Sequence, residues 1–168
     1  MKSKNLDDIY RSYMGGIYRY LLSICNDHYL AEDIMQETFY RAYLYLENCP
    51  DERIKPWLFR VAHNALVDFM RKNMRSTSED GEFFAKIADP KTTEDEFLRQ
   101  ERMMGIDVAV NILPERQKQA ILLCDFNGLS YNEAADIMDV STGHFKVLLF
   151  RARQRMRLIK ERGNLFEG

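Results

Sequence analysis

The last predicted helix of the chain combines short polar side chains at its start with a long run of basic residues. Ser141, Thr142 and His144 stand where the pattern predicts that this helix begins. Hydroxyl and imidazole groups beside the positive end of a helix dipole suit phosphates and base edges. Seven bases and one acid lie between His144 and Arg162, and each DNA phosphate that they neutralise would release counterions. The segment therefore predicts DNA contact, with a solvated charged face as the alternative interpretation.

The residues before this helix predict that it is the second helix of a helix-turn-helix. A preceding helix ends at Asn127-Gly128, and Ser130 with Glu133 forms a capping box that opens a short helix. Asp139 stands at the following turn, where it tolerates a left-handed backbone better than most residues. A short helix, a tight turn and a basic helix form the arrangement that places one helix end in a DNA major groove. The candidate DNA contacts are Ser141, Thr142, His144, Phe145, Lys146, Arg151, Arg153 and Arg155.

The third predicted helix offers a second surface of this kind. Cationic, imidazole and amide side chains recur there at helical spacing, on a face opposite the apolar stripe that contains Trp57. These groups and nearby aromatic rings fit unstacked single-stranded bases and their backbone, whereas a plain polar exterior is the alternative. Pro56 suits the first turn of this helix. The residues of the face are Arg60, His63, Asn64, Val67 and Arg71, with Lys72 beyond them.

Acidic residues on the second predicted helix suggest a different chemistry. Asp33 and Glu37 lie four residues apart and could bind a metal ion or act as acid and base. A companion histidine and a second carboxylate pair at ligand spacing are both missing nearby, so a protein contact or a solvated face is favoured over catalysis. The chain also lacks a phosphate-cradling glycine loop. We therefore expect no enzymatic activity, no cofactor and no metal. The polar residues in question are Glu32, Asp33, Gln36, Glu37 and Arg41.

Apolar residues spaced three and four apart predict helices along the chain, and no segment of alternating residues suggests a strand. The expected fold class is therefore all-α. The stripe of the second helix comprises Ile34, Met35, Thr38, Phe39, Ala42, Tyr43 and Leu46. The stripe of the third comprises Trp57, Leu58, Val61, Ala62, Ala65, Leu66 and Phe69. The stripe of the last comprises Phe145, Leu148, Leu149, Ala152, Met156 and Ile159.

A polar, acidic stretch interrupts this helical pattern at residues 76–92, and it predicts a flexible linker. The linker divides the chain into two small helical domains, residues 1–75 and residues 93–168. Three apolar residues inside it predict docking, either on the chain's own surface or on a partner: Phe83, Phe84 and Ile87.

Charge is distributed unevenly along the 168 residues. The net charge of −2 and the isoelectric point near 6.0 argue weakly against nucleic-acid binding when taken alone. However, residues 57–75 hold four bases and one acid, residues 76–101 hold three bases and eight acids, and residues 144–162 carry a net +6. Two basic patches thus flank an acidic middle, and this asymmetry is more informative than the total.

The cysteines bear on the cellular compartment. Cys25, Cys49 and Cys124 lie far apart and outside any C-x-x-C pair, which predicts free thiols in a reducing compartment. Cys25 and His28 have the spacing of helical metal ligands, but tetrahedral zinc needs four partners. No apolar run has the length of a signal peptide or a membrane span, so we expect a cytoplasmic protein without direct membrane insertion.

Three segments together resemble bacterial alternative sigma factors of the extracytoplasmic-function (ECF) group. The first is AEDIMQETFYRAY at residues 31–43, and the second is WLFRVAHNALVDFMRK at residues 57–72. The third is the C-terminal pair LPERQKQAILL and GLSYNEAADIMDVSTGHFKVLLFRARQRMR, within residues 113–157. The resemblance covers nearly the whole chain, and three motifs in order are far more specific than a helix-turn-helix alone.

The resemblance implies a role for each segment. In such proteins the face formed here by Asp33, Gln36 and Glu37 docks on the clamp helices of RNA polymerase, and Arg41 would support it. The loop from Asn48 to Lys55 and the helix behind it would open and read the minus-ten element. The last helix would read the minus-thirty-five element as duplex, while the acidic linker would thread towards the RNA exit path. The implied minus-ten contacts are Arg53, Lys55, Trp57, Arg60, His63, Asn64, Arg71 and Lys72.

The implied partners are core RNA polymerase, through its beta and beta-prime subunits, promoter DNA and an anti-sigma factor. The match departs where specificity is determined, because relatives commonly read G-T-V-K-S-R-L where this chain reads GHFKVLL from Gly143. His144 replaces the small hydroxyl residue and Leu148 replaces the usual arginine, so the promoter sequence cannot be transferred from relatives. Two further hypotheses stay open: a helix-turn-helix regulator with an N-terminal sensing or dimerisation domain, and a metal-dependent enzyme built on Glu32, Asp33 and Glu37.

Overall fold

The computed structural model describes residues 5–46, 51–77 and 107–167, and within these ranges it contains helices and short connections but no strand. The expected all-α class is therefore confirmed. The predicted linker at residues 76–92 lies almost entirely outside the described residues. The helices are α1 (Leu6–Cys25), α2 (His28–Tyr45), α3 (Asp51–Thr77), α4 (Asp107–Ile112), α5 (Glu115–Ile121), α6 (Tyr131–Met138) and α7 (Thr142–Glu167), and a π-helical turn, Leu122–Phe126, continues α5.

A two-residue turn folds α2 back against α1. Asn26 adopts a left-handed conformation with φ of 53°, and its N–H donates to the Leu22 carbonyl at 2.8 Å. The next residue, Asp27, caps α2, since its carboxylate accepts from the N–H groups of Tyr29 and Leu30 at 3.0 and 3.2 Å. Asparagine tolerates the left-handed region and aspartate is a preferred N-cap, so the local sequence specifies this hairpin.

Helix α3 begins earlier than predicted. Its first residue is Asp51, and Pro56 lies inside the helix rather than in its first turn. The predicted loop from Asn48 to Lys55 is wrong from residue 51 onwards, because Arg53 and Lys55 are helical. Burial of Ile54 explains the difference, since that side chain anchors the first turn in the core and outweighs the backbone hydrogen bond lost at proline.

The helix-turn-helix forms as the local sequence predicts. Ser130 and Glu133 make a reciprocal capping box, with distances of 2.9 and 3.1 Å between backbone nitrogens and side-chain oxygens. Asp139 ends α6 in the left-handed region, with φ of 57°. Ser141 then caps α7, because its hydroxyl oxygen accepts from the His144 N–H at 3.1 Å. These caps fix the angle at which α7 leaves α6.

The two halves of the chain share one hydrophobic core. Helices α1, α2 and α3 pack together, and α5, α6 and α7 form a second group. Contacts of α1 with α5 and of α3 with α6 join the two groups. The most deeply buried large side chains come from both halves: Ile17, Tyr20, Leu21, Leu58, Phe59, Leu66, Val110, Leu123, Phe145 and Leu149.

Candidate nucleic-acid interface

The N-terminal turn of α7 presents its predicted polar groups to the surface. Ser141, His144 and Lys146 are exposed, and open space surrounds Gly143. Thr142 is half-buried, and its hydroxyl donates to the side-chain oxygen of Asn132 on α6 at 3.0 Å. The structure therefore brings together the groups that could meet a phosphate or a base edge, and it holds the α7 N-terminus against α6.

Unlike its neighbours in this turn, Phe145 is buried, and this corrects one of the predicted DNA contacts. Its side chain is 0% exposed and its ring lies 5.9 Å from that of Tyr131, between α6 and α7. A ring enclosed in this way cannot contact DNA while α7 stays packed, so the prediction that Phe145 binds DNA is wrong. Leu148, which replaces the arginine common in relatives, is buried on the same side. Packing of the apolar stripe decides both positions.

The sequence analysis did not identify two exposed apolar residues on the outer face of α7. Val147 and Phe150 are exposed, and Phe150 has 61% of its surface accessible. Val147 follows His144 by three residues and precedes Arg151 by four, so these side chains share one face. Large apolar groups on an exposed face often mark a binding surface. A helical wheel would have shown them outside the buried stripe, among the cations.

Arg153 differs from the other predicted cations of α7 because it already has an anionic partner. Its guanidinium donates to both carboxylate oxygens of Asp125, at 3.0 and 2.7 Å. This hydrogen bonding raises the pKa of Arg153 further above its usual range, against a smaller lowering by burial. Arg151 and Arg155, two residues before and after Arg153, are exposed. The cationic surface available to DNA is therefore centred on Arg151 and Arg155.

Packing of the helices leaves some residues of the predicted α3 face exposed and buries others. Arg60, Asn64, Arg71 and Lys72 are exposed, together with Arg53 near the start of the helix. Lys55 and Trp57 are half-buried. The Arg60 guanidinium forms an ion pair with the Asp136 carboxylate on α6. Most of the expected cations thus share an accessible surface, but one of them touches the other half of the chain.

His63 does not belong to the exposed face, and this corrects a second prediction. It is 8% exposed, and its Nδ1 atom lies 2.7 Å from the hydroxyl of Tyr20, a distance that indicates a hydrogen bond. Burial lowers the pKa of His63 to about 4. Burial also raises the pKa of Tyr20, with a smaller contribution from the Glu115 carboxylate. The pair is a neutral link between α1 and α3 rather than a DNA contact.

Lowering the pH should therefore destabilise the protein through His63. Its folded pKa, about 4, lies below the unfolded value near 6.5, so the unfolded chain binds the proton more readily. The stabilising effect is complete above pH 6.5 and declines as the pH falls towards 4. Between pH 7 and pH 5 we expect a loss of about 2 kcal/mol from this group, measured by urea denaturation.

A histidine variant pair separates this effect from general acid sensitivity. His63→Gln should lower stability at pH 7 but should lose less on going to pH 5 than the wild type. His144→Gln removes an exposed histidine of α7 and should follow the wild-type pH dependence. A His63→Gln profile parallel to the wild type would show that this imidazole does not carry the pH dependence.

Helix α2 presents acidic and aromatic side chains on its outer surface. Asp33, Gln36 and Glu37 are exposed, and Arg41 pairs with Glu37 at 2.8 Å between guanidinium nitrogen and carboxylate oxygen. Tyr43, predicted to be buried, is instead 63% exposed, because Phe39, Ala42 and Leu46 fill the core side of the helix. Tyr29, Tyr40, Leu44 and Tyr45 are exposed as well. Exposed aromatic residues are enriched at protein interfaces, and the sequence analysis had not recognised them as a set.

The described residues also bear on metal binding and membrane insertion. In the described part of the chain, no three His, Cys, Asp or Glu side chains converge as metal ligands. The Cys25 thiol donates to the Asp27 carbonyl at 3.4 Å, and the His28 Nδ1 atom bonds to the Tyr18 hydroxyl. Burial raises the pKa of the Cys25 thiol. Within the described ranges, no helix is both long enough and apolar enough to span a membrane.

Comparison with known proteins places these surfaces in a family. Residues 9–76 match the family described as Sigma-70 region 2, and residues 103–156 match Sigma-70, region 4. The ECF RNA polymerase sigma factor SigM of Bacillus subtilis (strain 168) is 39% identical over 162 residues, which cover 94% of this chain and 96% of SigM. The chain belongs to the ECF group of RNA polymerase sigma factors. The family resemblance is therefore confirmed.

Solved structures agree with the assignment of this ECF sigma factor. The sigma factor RpoE from Bartonella quintana, solved in complex with the anti-sigma factor NepR, has a TM-score of 0.68 and 25% identity, covering 92% of this chain and 98% of RpoE. CnrH, solved with the cytosolic domain of CnrY, has a TM-score of 0.61 over 93% of this chain and 87% of its own, and at 18% identity it supports the fold alone.

The family decides between the interpretations that the sequence left open. This ECF sigma factor is an alternative sigma factor, which binds RNA polymerase and directs promoter recognition and transcription initiation. The stand-alone regulator is not favoured. Sigma factors are initiation factors rather than enzymes, so the acidic residues of α2 do not need a catalytic explanation.

Proposed function

We propose that this sigma factor docks on core RNA polymerase through α2, opens and reads the minus-ten element with α3, and reads the minus-thirty-five element as duplex with α7. The observation that carries this assignment is the separation of exposed chemistry by helix. Acids and tyrosines cover α2, whereas exposed cations recur along one face of α3 and dominate the outer face of α7. Only the two basic helices suit a polyanion, which leaves α2 for a protein partner.

For α2, the proposed partner surface is the clamp formed by the beta-prime subunit, beside the beta subunit of the core enzyme. Asp33, Gln36 and Glu37 supply carboxylate and amide acceptors along one side of the helix. Tyr40 lies one turn beyond Glu37, Tyr43 lies one further turn along α2, and both add large apolar contacts with a polar tip. The Glu37–Arg41 pair is exposed, so it orients the glutamate with little effect on stability.

For α3, the proposed ligand is the opened strand of the minus-ten element. Arg71 and Lys72 would bind its phosphates, and Asn64 would donate to or accept from an unstacked base. Arg53 and Lys55, on the first turns of the same helix, would bind phosphates upstream, with the half-buried Trp57 as a stacking platform. His63 takes no direct part in this proposal.

For α7, the proposed ligand is the major groove of the minus-thirty-five element. His144, Val147 and Arg151 follow one face of the helix from its N-terminus, with Arg155 one turn further. An imidazole can meet a base edge, and a valine can contact a thymine methyl group. Lys146 and Phe150 border this face. The arginines near the middle of the helix would bind the backbone of the duplex.

We also propose an anti-sigma factor as a partner, since the related RpoE was solved with one, and a cytoplasmic location, where core polymerase and promoter DNA are found. The free thiols of Cys25 and Cys124 agree with a reducing compartment. Catalytic activity is not part of the proposal.

Run-off transcription tests the proposed function and the role of α2 together. Purified protein and core polymerase should yield a promoter-dependent transcript from a promoter identified by mapping start sites after overexpression. Asp33→Asn with Glu37→Gln should weaken core binding by about thirtyfold to a thousandfold, because interface hot spots contribute roughly 1–2 kcal/mol each. Helical content should not change, since both residues lie outside the core.

The matched control removes two negative charges elsewhere. Asp7→Asn with Asp8→Asn changes exposed residues in the first turn of α1, on a different helix from the proposed docking residues. This variant should bind core polymerase as the wild type does. An equal loss in both double variants would contradict the α2 assignment, and the lack of any promoter-dependent transcript from folded wild-type protein would refute the proposed function.

A further inference from the structure

Gly143, the second residue of α7, has no structural reason to be glycine. It is helical and its φ is negative, whereas the φ of Gly128 is 71°. A Cβ atom built on Gly143 would have nothing within 4 Å, whereas one on Gly16 would lie 2.7 Å from the side-chain oxygen of Asn127. Glycine also destabilises a helix relative to alanine, so the fold alone would favour a side chain at this position.

Gly143 lies on the outer face of α7. Val147 and Phe150 follow it by four and seven residues, the spacing of one helix face, and both are exposed. This face runs beside His144 and Arg151, which the proposed function directs to the major groove. An α-helix with its side chains is about 10–12 Å across, and the major groove is about 12 Å wide. A helix end without an outer side chain can therefore approach the bases more closely.

The other side chains of the first turn are held by the protein. The Ser141 hydroxyl accepts from the His144 N–H at 3.1 Å, and the Thr142 hydroxyl donates to Asn132 at 3.0 Å. The ring of Phe145 is 0% exposed. His144 is exposed, and in the described part of the chain no hydrogen bond or ion pair engages its imidazole. It is therefore the one long, unengaged side chain of this fully described turn.

Imidazole chemistry favours guanine among the four bases. In either protonation state the ring offers at least one N–H donor. In the major groove guanine presents two acceptors, N7 and O6, whereas adenine and cytosine present an amino donor and thymine sets its acceptor beside a methyl group. A donor at the guanine edge thus meets an acceptor in two positions and no competing donor. Relatives commonly carry a small hydroxyl residue where this chain has His144, and hydroxyls pair with several bases.

We propose that His144 is a specificity-determining residue that reads one guanine of the minus-thirty-five element, and that Gly143 admits the DNA closely enough for this contact. The inference rests on the proposed role of α7 as the reader of that element. Because His144 is in the first turn, the guanine lies at one end of the segment that α7 contacts. Arg151 lies seven residues, or about 10 Å, further along the helix, which corresponds to about three base-pair steps. The two residues therefore read separate base pairs.

Promoter duplexes that are changed at one base pair at a time test the role of His144. The holoenzyme formed with core polymerase should prefer guanine at one end of the minus-thirty-five element by about fivefold or more, in line with the usual cost of a mismatched base pair. His144→Ala should bind all four base pairs at that position within about twofold and should keep the wild-type preferences elsewhere. A wild type without this preference, or a His144→Ala variant that retains it, would overturn the proposal.

Gly143→Ala tests the close approach of the DNA. The added methyl group meets nothing in the protein and replaces glycine in a helix, so the melting temperature should rise by about 1–4 °C. The same methyl group would lie between α7 and the DNA, so the affinity of the holoenzyme for the promoter should fall by about fivefold or more. Affinity for core polymerase, which depends on α2 in the proposed function, should not change. Wild-type promoter affinity in this variant would overturn the role of Gly143.

Gly15→Ala is the matched control, since it makes the same change inside α1, where a Cβ atom would come no closer than 3.4 Å to the side chain of Arg19. It should keep the wild-type affinity for the promoter. An equal loss of promoter affinity in both glycine variants would overturn the close approach at Gly143. Run-off transcription separates the two levels of the proposal. Its absence with wild-type protein would refute the proposed function, whereas a normal transcript with unchanged base preferences in His144→Ala would overturn this inference alone.

Discussion

Replacing Phe145 by Ala is expected to lower the free energy of unfolding by about 3–5 kcal/mol. The side chain is 0% exposed and packs between α6 and α7, so its removal leaves a cavity where the helix-turn-helix is held together. A loss of this size is a large part of the roughly 5–15 kcal/mol that stabilises a typical small protein. Urea denaturation followed by circular dichroism at pH 7 would measure it.

Phe150→Ala provides the control on the same helix. The ring of Phe150 is 61% exposed, so the same truncation should change the free energy of unfolding by less than about 0.5 kcal/mol. If the two variants were destabilised equally, Phe145 would not be the core residue that its burial indicates. The comparison also separates a core role of Phe145 from a DNA contact, since a DNA-contacting residue could be removed without a large effect on folding.

Replacing Arg151 and Arg155 by Ala is expected to reduce the slope of log DNA affinity against log salt by about two units. Each phosphate contact releases about one counterion, which near 0.1 M salt corresponds to roughly tenfold in affinity, or about a hundredfold for both. Both guanidinium groups are exposed on α7. Fluorescence anisotropy with a duplex of random sequence, over a range of salt concentrations, would give the slope.

The pair Asp125→Asn with Arg153→Gln is a charge-neutral control. Arg153 is already engaged by both oxygens of Asp125, so removing the pair should leave the salt dependence close to that of the wild type. It should cost little stability, because exposed ion pairs contribute about 0–1 kcal/mol. A slope reduced as much as in the Arg151 and Arg155 variant would mean that Arg153 leaves Asp125 to bind phosphate.

The helices and the turn of the helix-turn-helix could be predicted because their causes are local. The capping box of Ser130 with Glu133 and the left-handed residue Asp139 lie within a few residues of the backbone groups that they satisfy. Apolar spacing located the buried stripe of α7, including Leu149 and Ala152. Charge segregation also needed no coordinates, since a run of bases on one helix is a property of the sequence alone.

Prediction failed where two faces of a helix could not be distinguished by spacing. His63 lies three residues from Arg60, and only the position of Tyr20 on α1 shows that it is buried. By its spacing, Phe145 could belong either to the polar N-terminal turn or to the apolar stripe of α7. Its packing against Tyr131 shows that it belongs to the stripe. Proline at position 56 suggested a helix start, but the buried side chain of Ile54 extended α3 towards the N-terminus.

The sequence by itself determined the helical class, the caps, the charge of each helix and the family. Tertiary structure alone decided which cations are paired and which are free, because the acidic partners are distant in the chain: Asp125 for Arg153 and Asp136 for Arg60. It also decided that Lys118 is buried against α1 and that Gly16 faces Asn127. Local backbone energetics specify a helix from its own residues, whereas the environment of each side chain depends on segments that approach only when the core is formed.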